Sequence, residues 1–134
     1  MVLGRTGTDG AARAAGRRTR VRGRNDVRRL TAADLGGELG ERATLVQFSS
    51  AFCAPCRATR RTLAEVARMV PGVAHVEIDA EDRLGLVREL EVLKTPTVLV
   101  LGPDGFVVRR AQGQPRRADV IAALGEAVGG RHDD

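Results

Sequence analysis

The sequence predicts an α/β domain in which a four-stranded mixed sheet carries helices on both faces. Three observations support that expectation. Short apolar runs of strand length alternate with segments of helical period. The last two runs are joined by a turn, not by a helix. The chain has 134 residues, enough for one domain with a real core.

The elements follow in order. Residues 1–30 hold Gly, Arg, Thr and Ala with no apolar period and are expected to be a disordered, Arg-rich leader. At Thr31 a capping residue opens a first helix that should end near Gly40. Thr44 to Phe48 is an apolar run suited to a buried strand. A helix then runs to about Met69, with Leu63, Val66, Ala67 and Val70 on one face and Pro71-Gly72 as its stop. Ala74 to Asp79 reads as a second strand. The next helix has a stripe of Leu84, Val87 and Leu90. Thr97 to Leu101 is a third strand, and Gly102 to Gly105 is a turn by composition. Phe106 to Ala111 completes a hairpin. Gly113 and Pro115 lead into a last helix whose buried face is Val120, Ile121, Leu124 and Val128. The domain thus spans 31–128, followed by a polar tail at 129–134. Strands separated by helices imply parallel neighbours, and the hairpin adds an antiparallel pair.

Charge divides the chain. Residues 1–30 hold nine Arg and two Asp, a net of +7. Residues 31–134 hold 13 basic and 15 acidic residues, a net of −2, so the two parts sum to +5. The basicity belongs to the leader. It lacks aromatics for stacking on bases, so nucleic acid is not an expected partner. It also lacks the apolar core of a secretory signal, although Arg17-Arg18 is a twin arginine. No run approaches the roughly 18–20 apolar residues of a membrane span. The expected compartment is the cytoplasm, with membrane association on the extracytoplasmic side as the alternative if the true start lies upstream. The acidic cluster of Asp79, Glu81 and Asp82 reads as a solvated loop and helix start in preference to a metal site.

The chain has two cysteines, Cys53 and Cys56, placed between a strand and a helix. A disulfide-stapled secreted fold would want more bridges over longer loops. Zinc needs about four ligands, and His75 and His132 stand at no common finger spacing. Redox chemistry is the expectation, with no metal and no cofactor. At a helix N-terminus Cys53 meets unpaired N–H groups and a positive dipole end, which lower a thiol pKa from about 8.5. Arg57, Arg60 and Arg61 add positive field. Pro55 suits the first helical turn because it has no N–H to orphan. Cys56, one turn in, should be less exposed. Cys53 therefore attacks a substrate disulfide, and Cys56 resolves the mixed disulfide.

The segment Phe48 to Arg57, with its Cys53-Ala54-Pro55-Cys56 motif, resembles the active-site region of thioredoxins. Thr95-Pro96-Thr97 before a strand resembles that family's cis-proline loop, and Gly113 its late glycine. The resemblance covers about residues 31–128 and implies a thioredoxin-like fold. It implies that Pro96 is cis, that its loop lies against the cysteines, and that the backbone of Thr95 pairs with substrate peptide as an added strand. Phe52, Ala54, Pro55 and Thr95 then form the substrate-binding set beside Cys53, Cys56 and Pro96. The implied activity is reduction of protein disulfides by a monomer that is re-reduced by a thiol donor such as a thioredoxin reductase. The alternative is a redox-sensitive binding module without turnover.

Departures from the family pattern sharpen the reading. Phe52 stands where Trp is usual, Ala54 where Gly is usual, and Arg61 where the helix carries proline. Gln47 stands where relatives carry a buried Asp beneath the cysteines, and His75 where its Lys partner stands. A buried charged pair is thus expected to have become a neutral one. Two readings of His75 follow: it serves as base for Cys56, or it is a packed strand histidine with water as base.

Overall fold

Strand β1, Ala43–Ser49, is buried along its whole length, its polar Thr44, Gln47 and Ser49 included, because it lies inside the sheet with helices on both faces. The structure, a computed structural model, describes residues 28–129; the remaining leader and the tail at 130–134 lie outside the described residues. The order along the chain is α1 (Ala32–Leu35), β1, α2 (Ala54–Met69), β2 (Val73–Asp79), α3 (Leu84–Glu89), β3 (Thr97–Leu101), β4 (Val107–Gln112) and α4 (Arg117–Gly129), with a 3-10 turn at Ala80–Asp82.

The four strands lie in the order β2-β1-β3-β4. β1 pairs parallel with β2, while β3 is antiparallel to both β1 and β4. The second helical connection therefore does not return a parallel neighbour. It carries the chain to the far side of β1 and reverses it.

Alternation along the strands separates two cores. Val46, Phe48, Leu99 and Leu101 pack with Leu35, Leu86 and Leu90 on one face. Leu45, Val98 and Val100 pack with Leu63, Val66, Val120 and Leu124 on the other. Helices α1 and α3 thus cover one face, and α2 and α4 the other, as expected.

Several boundaries differ from the sequence-based expectation. The domain begins before residue 31. Leu30 is 2% exposed in the core, its N–H bonds Gly105 O at 2.9 Å, and Arg29 bridges Phe106. A Cβ on Gly105 would meet Leu30 O at 2.3 Å, and φ there is +90°, so this close approach requires glycine. Helix α1 stops at Leu35, short of Gly40, because Gly36 takes φ +71° and caps it. Its start is as expected, with Thr31 and Asp34 forming a reciprocal capping box. In α3 the buried pair is Leu86 and Leu90, and Leu84 is exposed in the first turn. In α4 Val120, Leu124 and Ala127 face inward, while Ile121 is exposed. The predicted stripes otherwise hold: Val87 and Leu90 pack into one core, and Val120, Leu124 and Val128 into the other, so each stripe misplaces a single residue. Val70 lies beyond α2, in extended conformation. Phe106 falls just outside β4, 41% exposed, beneath the Arg29 guanidinium at 5.8 Å.

Candidate functional site

β1 ends at Ser49, and two turn residues deliver the chain to the start of α2. Cys53 is the N-cap of that helix: its backbone is extended and its Sγ accepts the N–H of Cys56 at 3.2 Å. Cys53 O also accepts the N–H groups of Cys56 and Arg57. Pro55 occupies the first turn, where no donor is needed. The two sulfurs are joined as a disulfide, with Cα atoms 5.2 Å apart. Cys53 is half-buried, whereas Cys56 is 1% exposed. The predicted asymmetry of the pair is therefore present: one sulfur at the rim, the other one turn inside.

The loop before β3 meets this pair. The Thr95–Pro96 peptide bond is cis, and Pro96 is buried. Thr95 O lies 4.0 Å from Cys53 Sγ. Two ties hold the loop there. Thr95 Oγ1 hydrogen-bonds Ser50 Oγ at 2.7 Å, and Gly113 N–H donates to Pro96 O at 2.8 Å. Phe52 projects from the same rim, fully exposed, with φ +58°. A left-handed backbone costs a non-glycine residue about 1–2 kcal/mol, and here the ring gains no burial in return. Ala54 and Pro55 are exposed beside it.

Beneath the pair, Gln47 is wholly buried. Its Nε2 donates to Cys56 O at 2.8 Å and to Ser49 Oγ at 2.9 Å. Ser49 Oγ in turn donates to Glu77 Oε2 at 2.8 Å. Arg60 grips Glu77 bidentately, at 2.7 and 2.8 Å. That grip holds the Glu77 carboxyl below its ordinary range, against the opposing effect of partial burial. Among the described residues Gln47 Oε1 is buried without a partner.

The expected neutral pairing of Gln47 with His75 is not what forms. Parallel register sets Gln47 opposite Glu77 and His75 opposite Leu45. The charge was relocated, not removed: an ion pair sits at the next position along β2. His75 is half-buried on the α2 side, its Nε2 without a partner, and burial pushes its pKa down from 6.5. Among the described residues no hydrogen bond joins it to Cys56. Arg60 is committed to Glu77, so of the three arginines expected to bear on Cys53, its field is largely offset. His132 lies outside the described residues. Asp79 caps the 3-10 turn by accepting Glu81 N–H at 2.9 Å, which gives part of the acidic cluster a structural role.

Ser49, Ser50 and Glu77 were not singled out from sequence. Their signal was available: Ser49 shares a strand face with Gln47, and Glu77 with His75, two residues on in each case.

The thioredoxin family model matches residues 27–126. Among curated proteins, the thioredoxin of Mycolicibacterium smegmatis is 29% identical over 87 residues, covering 63% of this chain and 77% of that protein. An H-type thioredoxin of Ricinus communis is 32% identical over 69 residues, covering 52% and 58%. Among solved structures, mitochondrial thioredoxin 3 of Saccharomyces cerevisiae in its oxidised form superposes with a TM-score of 0.56 at 21% identity, covering 64% of this chain and 79% of that one. Chloroplastic thioredoxin z gives 0.59 at 26% identity, covering 67% and 81%.

Proposed function

The chain belongs to the thioredoxin family and is a thiol–disulfide oxidoreductase that reduces protein disulfides, and on that premise we propose how its residues divide the reaction. The Cys53 thiolate attacks one sulfur of a substrate disulfide, forming a mixed disulfide and releasing the first substrate thiolate. The Cys56 thiolate then attacks Cys53 Sγ. The Cys53–Cys56 bond forms, the bond to substrate breaks, and the second substrate sulfur leaves as thiolate. Two electrons pass from the dithiol to the substrate, and a thiol donor returns them.

The observation that carries this reading is the place of Cys53 Sγ at the α2 N-cap, accepting a main-chain N–H. Once the bridge is open, that donor and the helix dipole face a thiolate and stabilise it. Thr95, with its carbonyl beside the sulfur, offers backbone to an extended peptide. Phe52, Ala54 and Pro55 supply an exposed apolar rim, and the strained, solvent-facing Phe52 is the natural contact for substrate. Pro96 anchors the loop. His75 is the candidate base for Cys56, supported by a neutral imidazole on the same sheet face as Gln47. Among the described residues no helix is long and apolar enough to cross a membrane. A chain whose cysteines form one exchangeable pair fits a reducing compartment, and we place the reaction in the cytoplasm with the protein acting as a monomer.

The test is alkylation of the reduced protein against pH. Residue 53 should titrate below about 8.5, and catalytic quantities should turn over a generic protein disulfide with an electron donor. A Cys53 that titrates as a free thiol, or a bridge that forms without turnover, would overturn the assignment and favour a redox-sensitive binding module. Replacing His75 with Ala should shift the pH profile of mixed-disulfide resolution; an unchanged profile assigns the proton to water.

A further inference from the structure

Cys56 must lose its proton before it can close the bridge, and it does so at 1% exposure. Burial opposes thiolate formation. Gln47, directly beneath, cannot carry a charge. Its amide instead begins a chain of fixed polarity. An ionised carboxylate only accepts, so Ser49 must donate its hydroxyl hydrogen to Glu77. The lone pairs of Ser49 then face Gln47 and take one amide hydrogen, while the other goes to Cys56 O. Flipping the amide would set Oε1 against Cys56 O, so the orientation is determined at both ends. Arg60, four residues after Cys56 on α2, holds Glu77 ionised and closes the circuit onto the same helix. A polar cavity of about 310 Å³, lined by Ser49, Ser50, Ala51, Arg60, Glu77 and Asp79, opens beside it.

Resting on the exchange assigned above to Cys53 and Cys56, we propose that Glu77 is a positioning residue for the resolving cysteine: its carboxylate, acting through Ser49 and Gln47, holds the Cys56 main chain and sets the pH at which the Cys56 thiol ionises. The charged and titratable groups around Glu77 are Arg60 from α2 and His75 and Asp79 from its own strand. Among the described residues β2 is an edge strand, and its one paired neighbour, β1, contributes the uncharged Ser49 and Gln47. Neutralising Glu77 removes a negative charge coupled to Cys56 and leaves Arg60 uncompensated. Both changes favour the Cys56 thiolate. A stabilised thiolate also stabilises the reduced form, which makes the dithiol less reducing.

The test uses the reduced full chain and an aromatic disulfide. Attack by Cys53 releases one coloured aromatic thiolate, and resolution by Cys56 releases the second. The rate of the second release is followed against pH, together with the dithiol equilibrium against glutathione. Glu77→Gln keeps the shape and removes the charge. It should move the midpoint of the second phase to lower pH by about half a unit and, at a pH above that midpoint, shift the glutathione equilibrium about threefold toward the dithiol. Ser49→Ala should move the midpoint in the same direction, and Glu77→Gln should add less than about twofold on that background. An unchanged or opposite midpoint in Glu77→Gln overturns the proposal, as does full additivity with Ser49→Ala. Should Ser49→Ala not fold, Glu77→Gln alone decides. A wild-type chain with no second phase would sink the underlying exchange reading instead, and the two failures are therefore distinct.

Discussion

Two strand-to-helix ion pairs in this domain share one geometry and differ in what they are connected to. Arg60–Glu77 joins α2 to β2, and Arg109–Glu126 joins β4 to α4. Each is bidentate, with contacts of 2.7 and 2.8 Å. The side chains of Arg109 and Glu126 are 60% and 48% exposed, and among the described residues their side chains hydrogen-bond only each other. Glu77 is 29% exposed and has a second partner, Ser49, through which hydrogen bonds continue to Cys56. Solvent screens the Arg109–Glu126 pair, so it acts as a local clasp on the hairpin side. The Arg60–Glu77 pair is the solvent-side end of a network whose inner members, Gln47 and Cys56, are buried. An ion pair's consequence thus follows from its connections more than from its own distances.

The largest expected effect lies at the sulfurs the buried network serves. Cys53→Ser should reduce disulfide turnover to background. Cys56→Ser should leave a mixed disulfide that accumulates and can be isolated by mass. If Cys56→Ser turned over like wild type, the network would have no resolving step to poise, and the contrast between the pairs would lose its meaning.

Leu63 lies on α2, the helix that carries Arg60, and is wholly buried in the core shared with α4, the helix that carries Glu126, and β1. Leu63→Ala should cost about 2–5 kcal/mol in a denaturant titration. A smaller loss would mean that this face collapses around the cavity.

Acidification gives an intermediate effect. The folded-state pKa of His75 lies below 6.5, so under that pH the unfolded chain binds more protons and stability falls as pH drops. Glu77 and Asp34 lie below 4.5 and 3.8, and the stability they contribute is present above those values and lost as pH falls further. Melting temperature should therefore decline in two stages, the first below about 6.5 and the second in the carboxylate range. His75→Asn should flatten the first stage alone. A first stage that persists in that variant would place the proton elsewhere.

The smallest effect is expected at the clasp. Glu126→Gln should leave the glutathione equilibrium and the resolution profile unchanged within error, while the corresponding change at Glu77 moves both. If Glu126→Gln moved them equally, connection would not be what separates the pairs.

Much of this was legible in the chain itself. Val98 to Leu101 could only be an interior strand, and β3 ran as expected from Thr97 to Leu101. The strand-CxxC-helix order by itself puts Cys53 at a helix start. Thr31 was legible as a helix cap, and the structure adds Asp34 as its reciprocal partner. These are local signals, carried by residues within one or two turns of each other. The edges of the α3 and α4 stripes were less legible: Leu84 and Ile121 are apolar yet exposed, because a few apolar residues do not say which of them the sheet will cover.

What the sequence determined by itself was the two-sided α/β layering and the sulfur pair at the end of a strand, since both follow from periodicity and from the chemistry of a helix terminus. What only the tertiary structure decided was which side chains meet beneath those sulfurs. The parallel register of β1 and β2 put Gln47 beside Glu77 instead of His75. A register shift of two residues leaves every side chain on its own face, so alternation alone cannot distinguish one partner from the next.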